Sequence, residues 1–90
     1  MIEIRFEQSN NRTIALDEGN EIGHCKFKSQ DGIWTVVHTI VDPDYRGQDI
    51  AMKLIDCLAE EARKLGINLT ATCPYAVRMF KEPDYRDIAF

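Results

Sequence analysis

The 90-residue chain is 44% hydrophobic and carries 15 acidic against 11 basic residues, a formal charge of −4. This length supports one core and no second domain, and the apolar content excludes a disordered chain. The acidic excess is spread along the chain, which excludes a nucleic-acid binder with its clustered basic field, and no apolar stretch is long enough to span a bilayer.

Residues 1–7 alternate strictly, with Ile2, Ile4 and Phe6 on one face and Glu3, Arg5 and Glu7 on the other, the pattern of a half-buried strand. This opening lacks the basic-then-apolar plan of a signal peptide, so no leader is expected. After the Ser9-Asn10-Asn11 turn, residues 12–17 read as a second strand with Ile14 and Leu16 inward. Residues 21–28 form a third, with Gly23, Cys25 and Phe27 on one face and Ile22, His24, Lys26 and Lys28 on the other. The fourth strand, residues 33–41, is apolar on both faces: Trp34, Val36, His38 and Ile40 share one, while Ile33, Thr35, Val37, Thr39 and Val41 share the other. Such a strand belongs at the centre of a covered sheet. Pro43 ends it.

From about Gln48 the period becomes helical and runs to Leu65, with Ile50, Ala51, Leu54, Leu58, Ala62 and Leu65 on one stripe and Gly66 as the cap. A fifth strand over residues 67–72 follows, and the long connection predicts a parallel, right-handed crossover. Pro74 opens a short helix to about Lys81, and Pro83 breaks it, leaving a tail that ends in Ile88 and Phe90. The predicted class is therefore α/β (α+β). A mixed sheet combines an antiparallel four-strand meander and a parallel fifth strand with a long helix and a short C-terminal helix.

Cys25, Cys57 and Cys73 are an odd number without CxxC spacing. They argue against a disulfide framework or a zinc site and fit reduced thiols in a cytoplasmic protein. His24 and Cys25 are adjacent in a strand and point to opposite faces, so they do not make a metal pair. No metal ligand set is expected.

The junction between the fourth strand and the long helix carries the most chemistry. There a turn with Arg46 and Gly47 leads into the first helical turn. The first N–H groups of a helix lack partners and, with the helix dipole, hold a phosphate; glycine permits close approach and arginine adds charge-assisted bonds. An ordinary strand-to-helix turn has the same spacing.

The run from Val41 to Ala51 resembles the acetyl-CoA signature of the GCN5-related N-acetyltransferases: Arg or Gln, two residues, Gly, one residue, then Gly or Ala. Arg46 and Ala51 fit its ends, Gln48 is the usual neighbour, and residues 76–81 resemble the family's later helix. The whole chain is similar to the miniature, single-domain branch of that superfamily. That likeness is carried by His38-Thr39, Arg46-Gly47-Gln48, Cys73-Pro74-Tyr75 and Pro83-Asp84-Tyr85. The resemblance implies a GNAT-like acyl-CoA N-acyltransferase fold over residues 1–90 and acetyl-CoA as cofactor. The cofactor would lie against Ile40, Val41, Arg46, Gly47, Gln48, Asp49, Ile50 and Ala51. Its pyrophosphate would sit at the start of the long helix, its pantetheine in the gap between the fourth and fifth strands, and backbone N–H groups near Ile40 and Val41 would meet the thioester carbonyl. The substrate-binding helices and late strands of full-length members are missing.

Two positions depart from the family pattern. Asp49 replaces a glycine and puts a carboxylate where the pyrophosphate binds. Phe80 stands where many members carry a tyrosine that protonates the leaving thiolate, and phenylalanine has no proton to give. Cys73, at the end of the fifth strand and the start of the second helix, is the candidate nucleophile or proton donor, against its reading as a small apolar strand residue. His38, on the central strand, is the candidate general base, against a hydrogen-bonded core histidine. The expected reaction is acetyl transfer from acetyl-CoA to an amine, either a small molecule or a peptide or protein lysine. A non-catalytic CoA-binding or protein-interaction module is the alternative. Neither nucleic acid nor membrane is an expected partner, and oligomeric state is not legible.

Overall fold

A computed structural model describes all residues 1–90. The antiparallel meander comprises β1 (Ile2–Glu7), β2 (Arg12–Asp17), β3 (Asn20–Gln30) and β4 (Ile33–Val41). The helix α1 (Ile50–Leu65) crosses to β5 (Asn68–Ala71), which pairs parallel with β4, and α2 (Pro74–Met79) follows. The spatial order is β1-β2-β3-β4-β5. Short 3-10 turns occupy Gln8–Asn10, Pro43–Tyr45 and Pro83–Tyr85. The expected fold class is found, with α1 beginning two residues later, β5 shorter and α2 ending sooner than the sequence pattern suggests.

α1 lies across one face of the sheet and buries Ile50, Leu54, Ile55, Leu58, Ala59 and Ala62. Ile55 and Ala59 widen the expected stripe; Leu65, its last member, is 51% exposed at the point where the chain turns towards β5. Beneath the helix, β2 presents Thr13 and Ala15 rather than Ile14 and Leu16. Small side chains allow the helix to approach the sheet, and the buried Thr13 hydroxyl donates to the Leu54 carbonyl oxygen at 3.0 Å. A buried hydroxyl satisfied in this way carries little desolvation cost. Ile14 is also buried, but on the opposite face, with His24 as its cross-strand neighbour.

Two bulges explain the remaining differences in facing. Ala15 pairs with Gly23 and Leu16 with Glu21, so Ile22 is the extra residue on β3 and joins the core along with Cys25 and Phe27. On β4, Lys26 pairs with His38 and Phe27 with Val36, which leaves Val37 as the extra residue. A bulge breaks the alternation, so every side chain beyond it changes face. Trp34 and Val36 face α1, but beyond Val37 it is Thr39 that shares the α1 face with Cys25, while His38 lies with His24 on the other, their ring centroids 5.6 Å apart. β4 is therefore not covered along both faces: His38 is exposed and Ile40 is 48% exposed.

The tail is tied down. Leu69 N–H donates to the Ile88 carbonyl at 2.7 Å, and Phe90 N–H donates to Leu69 at 3.1 Å, extending the edge of β5. Arg63 holds this segment to α1 through both carboxylate oxygens of Asp87, at 2.8 and 3.1 Å, and the Asp84 carbonyl at 2.7 Å. Tyr85 is buried, and its hydroxyl donates to Asp56 on α1. No helix is long and apolar enough to cross a membrane.

Candidate functional site

Parallel pairing of β4 with β5 ends at Val36 and Ala71, and the next two amides, Thr72 and Cys73, both donate to the Val36 carbonyl at 2.9 and 3.1 Å. From there β5 turns into α2, while β4 runs on to Val41 without a partner on that side. A gap opens between the two strands. The Asp42 N–H donates to Ile22 of β3 at 2.7 Å, so alternation turns the Ile40 amide to β3 and the Thr39 and Val41 amides to the gap. Of the two amides expected to face a thioester carbonyl, Val41 has the direction and Ile40 does not.

At the far end of the gap, Val41, Arg46, Gly47, Asp49, Ile50 and Ala51 line a cleft of 220 Å³, which Tyr45 and Tyr75 complete. Ile40 and Gln48 do not line it. The turn is built by two left-handed residues, Gly47 at φ 81 and Asp49 at φ 56, and the second explains why a glycine suits that position. Asp49 is the N-cap of α1, not a residue of its first turn, and its side chain makes no capping bond, so the first amides of the helix remain open. The Arg46 guanidinium pairs with no carboxylate, whereas Arg5, Arg12 and Arg63 all do. Open helix amides, a free guanidinium and a glycine turn together suit a pyrophosphate.

Tyr45 was not singled out by the sequence pattern, although it directly precedes Arg46. Its hydroxyl donates to Asp17 at 2.5 Å, and the same carboxylate takes the N-terminal ammonium at 3.2 Å, so the loop is anchored to β2. These two donors hold the Asp17 carboxyl below the usual carboxylate range. A larger hollow of 580 Å³ adjoins the cleft across Tyr75; there Asp56, Glu82 and Asp84 face a single cation, Arg78, which stands 6.0 Å from the Tyr75 ring.

Cys73 ends the opposite side of the gap, 7% exposed. Burial pushes its thiol up. The N–H groups of Ala76 and Tyr75 at the start of α2, with the hydroxyl and N–H of Thr39, outweigh that effect and bring it below the ordinary thiol range. Thr39 Oγ1 lies 3.6 Å from Cys73 Sγ and 3.6 Å from Cys25 Sγ. Cys25 is the contrasting thiol: burial raises it from its ordinary 9.0 to about 11. Cys57, half-buried on α1, is raised by burial as well.

The two catalytic candidates thus stand on opposite faces of the sheet, Cys73 towards α1 and His38 towards solvent. Phe80 packs on Tyr85 with ring centroids 5.4 Å apart and lines a separate hollow with Thr70 and Phe90, and as phenylalanine it has no hydroxyl to give. No group of three or more metal-binding side chains converges anywhere in the chain.

Comparison with known proteins agrees with the fold. The family described as GCN5-related N-acetyl-transferase matches residues 5–88. A GCN5-like candidate N-acetyltransferase from Staphylococcus aureus, solved by NMR, is 27% identical with a TM-score of 0.77, the alignment covering 98% of this chain and 87% of that one. The ribosomal-protein-alanine N-acetyltransferase from Brucella melitensis biovar Abortus is 28% identical with a TM-score of 0.61, over 78% of this chain and 59% of that one. An N-acetyltransferase from Thermoplasma acidophilum, in complex with coenzyme A, shares the fold at 17% identity and a TM-score of 0.67, over 82% of this chain and 52% of that one. A search of curated proteins found no match. The chain belongs to the GCN5-related N-acetyltransferase family.

Proposed function

We infer that the protein transfers an acetyl group from acetyl-CoA to an amine, in a ternary complex assembled where β4 and β5 part. The observation that carries this reading is the convergence on that gap of three features. The uncapped start of α1 with the free Arg46 lies at one end, the Val41 amide points inward, and Cys73 closes the other end. Arg46, Gly47 and the first amides of α1 would hold the pyrophosphate, with Asp49 as a repulsive neighbour. Acetyl-CoA supplies an activated acyl group as its thioester. The chain's own contribution is orientation, together with amide donors for the carbonyl oxygen.

His38, exposed on the open face, is the base that an amine arriving from solvent would meet. Cys73, on the α1 face, either returns a proton to the departing CoA thiolate or accepts the acetyl group before the amine does. With the Thr39 and α2 donors around its sulfur, either role is chemically accessible. Two relatives bear the name of ribosomal-protein-alanine N-acetyltransferase, and we extend to this chain a protein amine as one acceptor class beside small amines. Three unpaired thiols suit a reducing, cytoplasmic setting.

Calorimetric titration with CoA and acetyl-CoA, followed by thiol release with a panel of amines and basic peptides, tests the reading. Intact mass after incubation with acetyl-CoA separates the two roles of Cys73. A stable acetyl adduct lost in Cys73→Ala marks a nucleophile, whereas lost turnover without an adduct marks a proton donor. Absence of CoA binding would defeat the proposal. A CoA-holding module without turnover is the second reading, favoured by phenylalanine rather than a proton-donating tyrosine at position 80 and by the Asp49 carboxylate; binding with no thiol release from any amine would support it.

A further inference from the structure

The bulge at Val37 decides which side chain of β4 meets Cys73. Unbroken alternation would carry His38 onto the α1 face beneath Trp34 and Val36; the extra residue brings Thr39 there instead. The Thr39 hydroxyl then stands between two sulfurs, 3.6 Å from Cys73 and 3.6 Å from the fully buried Cys25. A hydroxyl has one proton and can donate to only one of them. With Cys73 protonated, its S–H donates to Thr39 and Thr39 donates to Cys25. If Cys73 ionises, that arrangement would set a sulfur anion against an oxygen lone pair.

We propose that Thr39 is a positioning residue that governs the ionisation of Cys73, its hydroxyl turning from Cys25 to Cys73 as Cys73 gives up its proton. Cys25 remains a thiol throughout and turns its own S–H to the Thr39 oxygen, so the buried chain stays hydrogen-bonded in both states. No proton travels along it: Thr39 and Cys25 keep theirs, and the Cys73 proton leaves to solvent or to a thiolate in the gap. Around this chain the titratable groups are Cys25 from β3, Cys57 from α1 through its effect on Cys25, and Tyr75 from α2. The histidine of β4 itself, His38, faces away. The proposal rests on Cys73 as the working thiol, but it concerns that thiol's ionisation and not turnover.

The test is the rate of iodoacetamide alkylation at Cys73 against pH, read by peptide mass on the full chain without CoA. In Thr39→Val the midpoint should rise by about 1 pH unit, a roughly tenfold loss of thiolate below it, because one hydrogen bond to a charged group has been removed. Thr39→Ser keeps the donor and should stay within about 0.3 unit of wild type. Should the valine variant fail to fold, Thr39→Ala against Thr39→Ser reads the same contrast. A folded valine or alanine variant with the wild-type midpoint would overturn the proposal, as would a serine variant shifted as far as valine. A separate turnover assay of Cys73→Ala tests the thiol's catalytic role, so the two failures are distinguishable.

Discussion

Replacing Asp49 tests the proposed anion site by its charge and by its backbone separately. The residue is exposed, sits at φ 56 and ψ 30, and makes no capping bond. Its carboxylate stabilises the helix dipole by about 0.3–1 kcal/mol and opposes a pyrophosphate on the same amides by a comparable amount at low salt. Asp49→Asn removes the charge while keeping a residue that tolerates the left-handed region. CoA should then bind about two- to fivefold tighter by calorimetry, the equivalent of about 0.5–1 kcal/mol, at a cost of a few tenths of a kcal/mol in thermal stability. Asp49→Gly makes the same electrostatic change and also relieves the backbone. Left-handed geometry costs a non-glycine residue about 1 kcal/mol, much of which glycine returns as freedom of the unfolded chain, so it should melt at or slightly above Asp49→Asn. At about 0.5 M salt the affinity gain should largely vanish, since the screening length falls below the separation of exposed charges. Unchanged affinity in both variants, or a gain that persists at high salt, would refute the Coulombic account.

Two further predictions concern β3, the strand paired with β4 on the side away from the gap. A Cβ on Gly23 would lie 3.0 Å from the Ile40 carbonyl oxygen and 3.3 Å from Val41 Cγ2. Gly23→Ala should therefore force β3 and β4 apart and cost about 1–3 kcal/mol, each kcal/mol lowering the melting temperature by roughly 4–8 °C. Melting within a degree or so of wild type, about the resolution of such a shift, would mean the strands have slack there. Cys25, held as a thiol to about 11 against an ordinary 9.0, contributes stability that is complete below pH 9. That contribution is lost between pH 9 and 11, because the unfolded chain gives up its proton first. The loss should run at about 1.4 kcal/mol per pH unit. Urea unfolding from pH 8.5 to 11 (about this window) should show a shallower decline in Cys25→Ala than in wild type; parallel declines would contradict the burial of that thiol.

Much of the chain's organisation is written in its local pattern. Period-2 runs separated by turn residues mark the meander, a period-3.6 run closed by Gly66 marks α1, and the spacing of Arg46, Gly47 and Ala51 marks the strand-to-helix junction, all visible without tertiary contacts. These signals are local because hydrogen bonding and hydrophobic periodicity are local. Facing is different. Thr13 and Ala15 lie under α1 because a close helix selects small side chains, and that closeness exists only once the helix has docked. Along β4, His38, Thr39, Ile40 and Val41 fit either face of a pleated sheet, and alternation counted through Val37 gives the wrong one. The bulge is set by register against β3, a pairing with a distant segment, and one unpaired residue reverses every side chain beyond it. Sequence alone thus determined the elements, their order and the glycine-bearing turn that opens α1. Tertiary pairing decided that Thr39 rather than His38 meets Cys73, because the side chain that enters the gap depends on a one-residue offset that no local preference records.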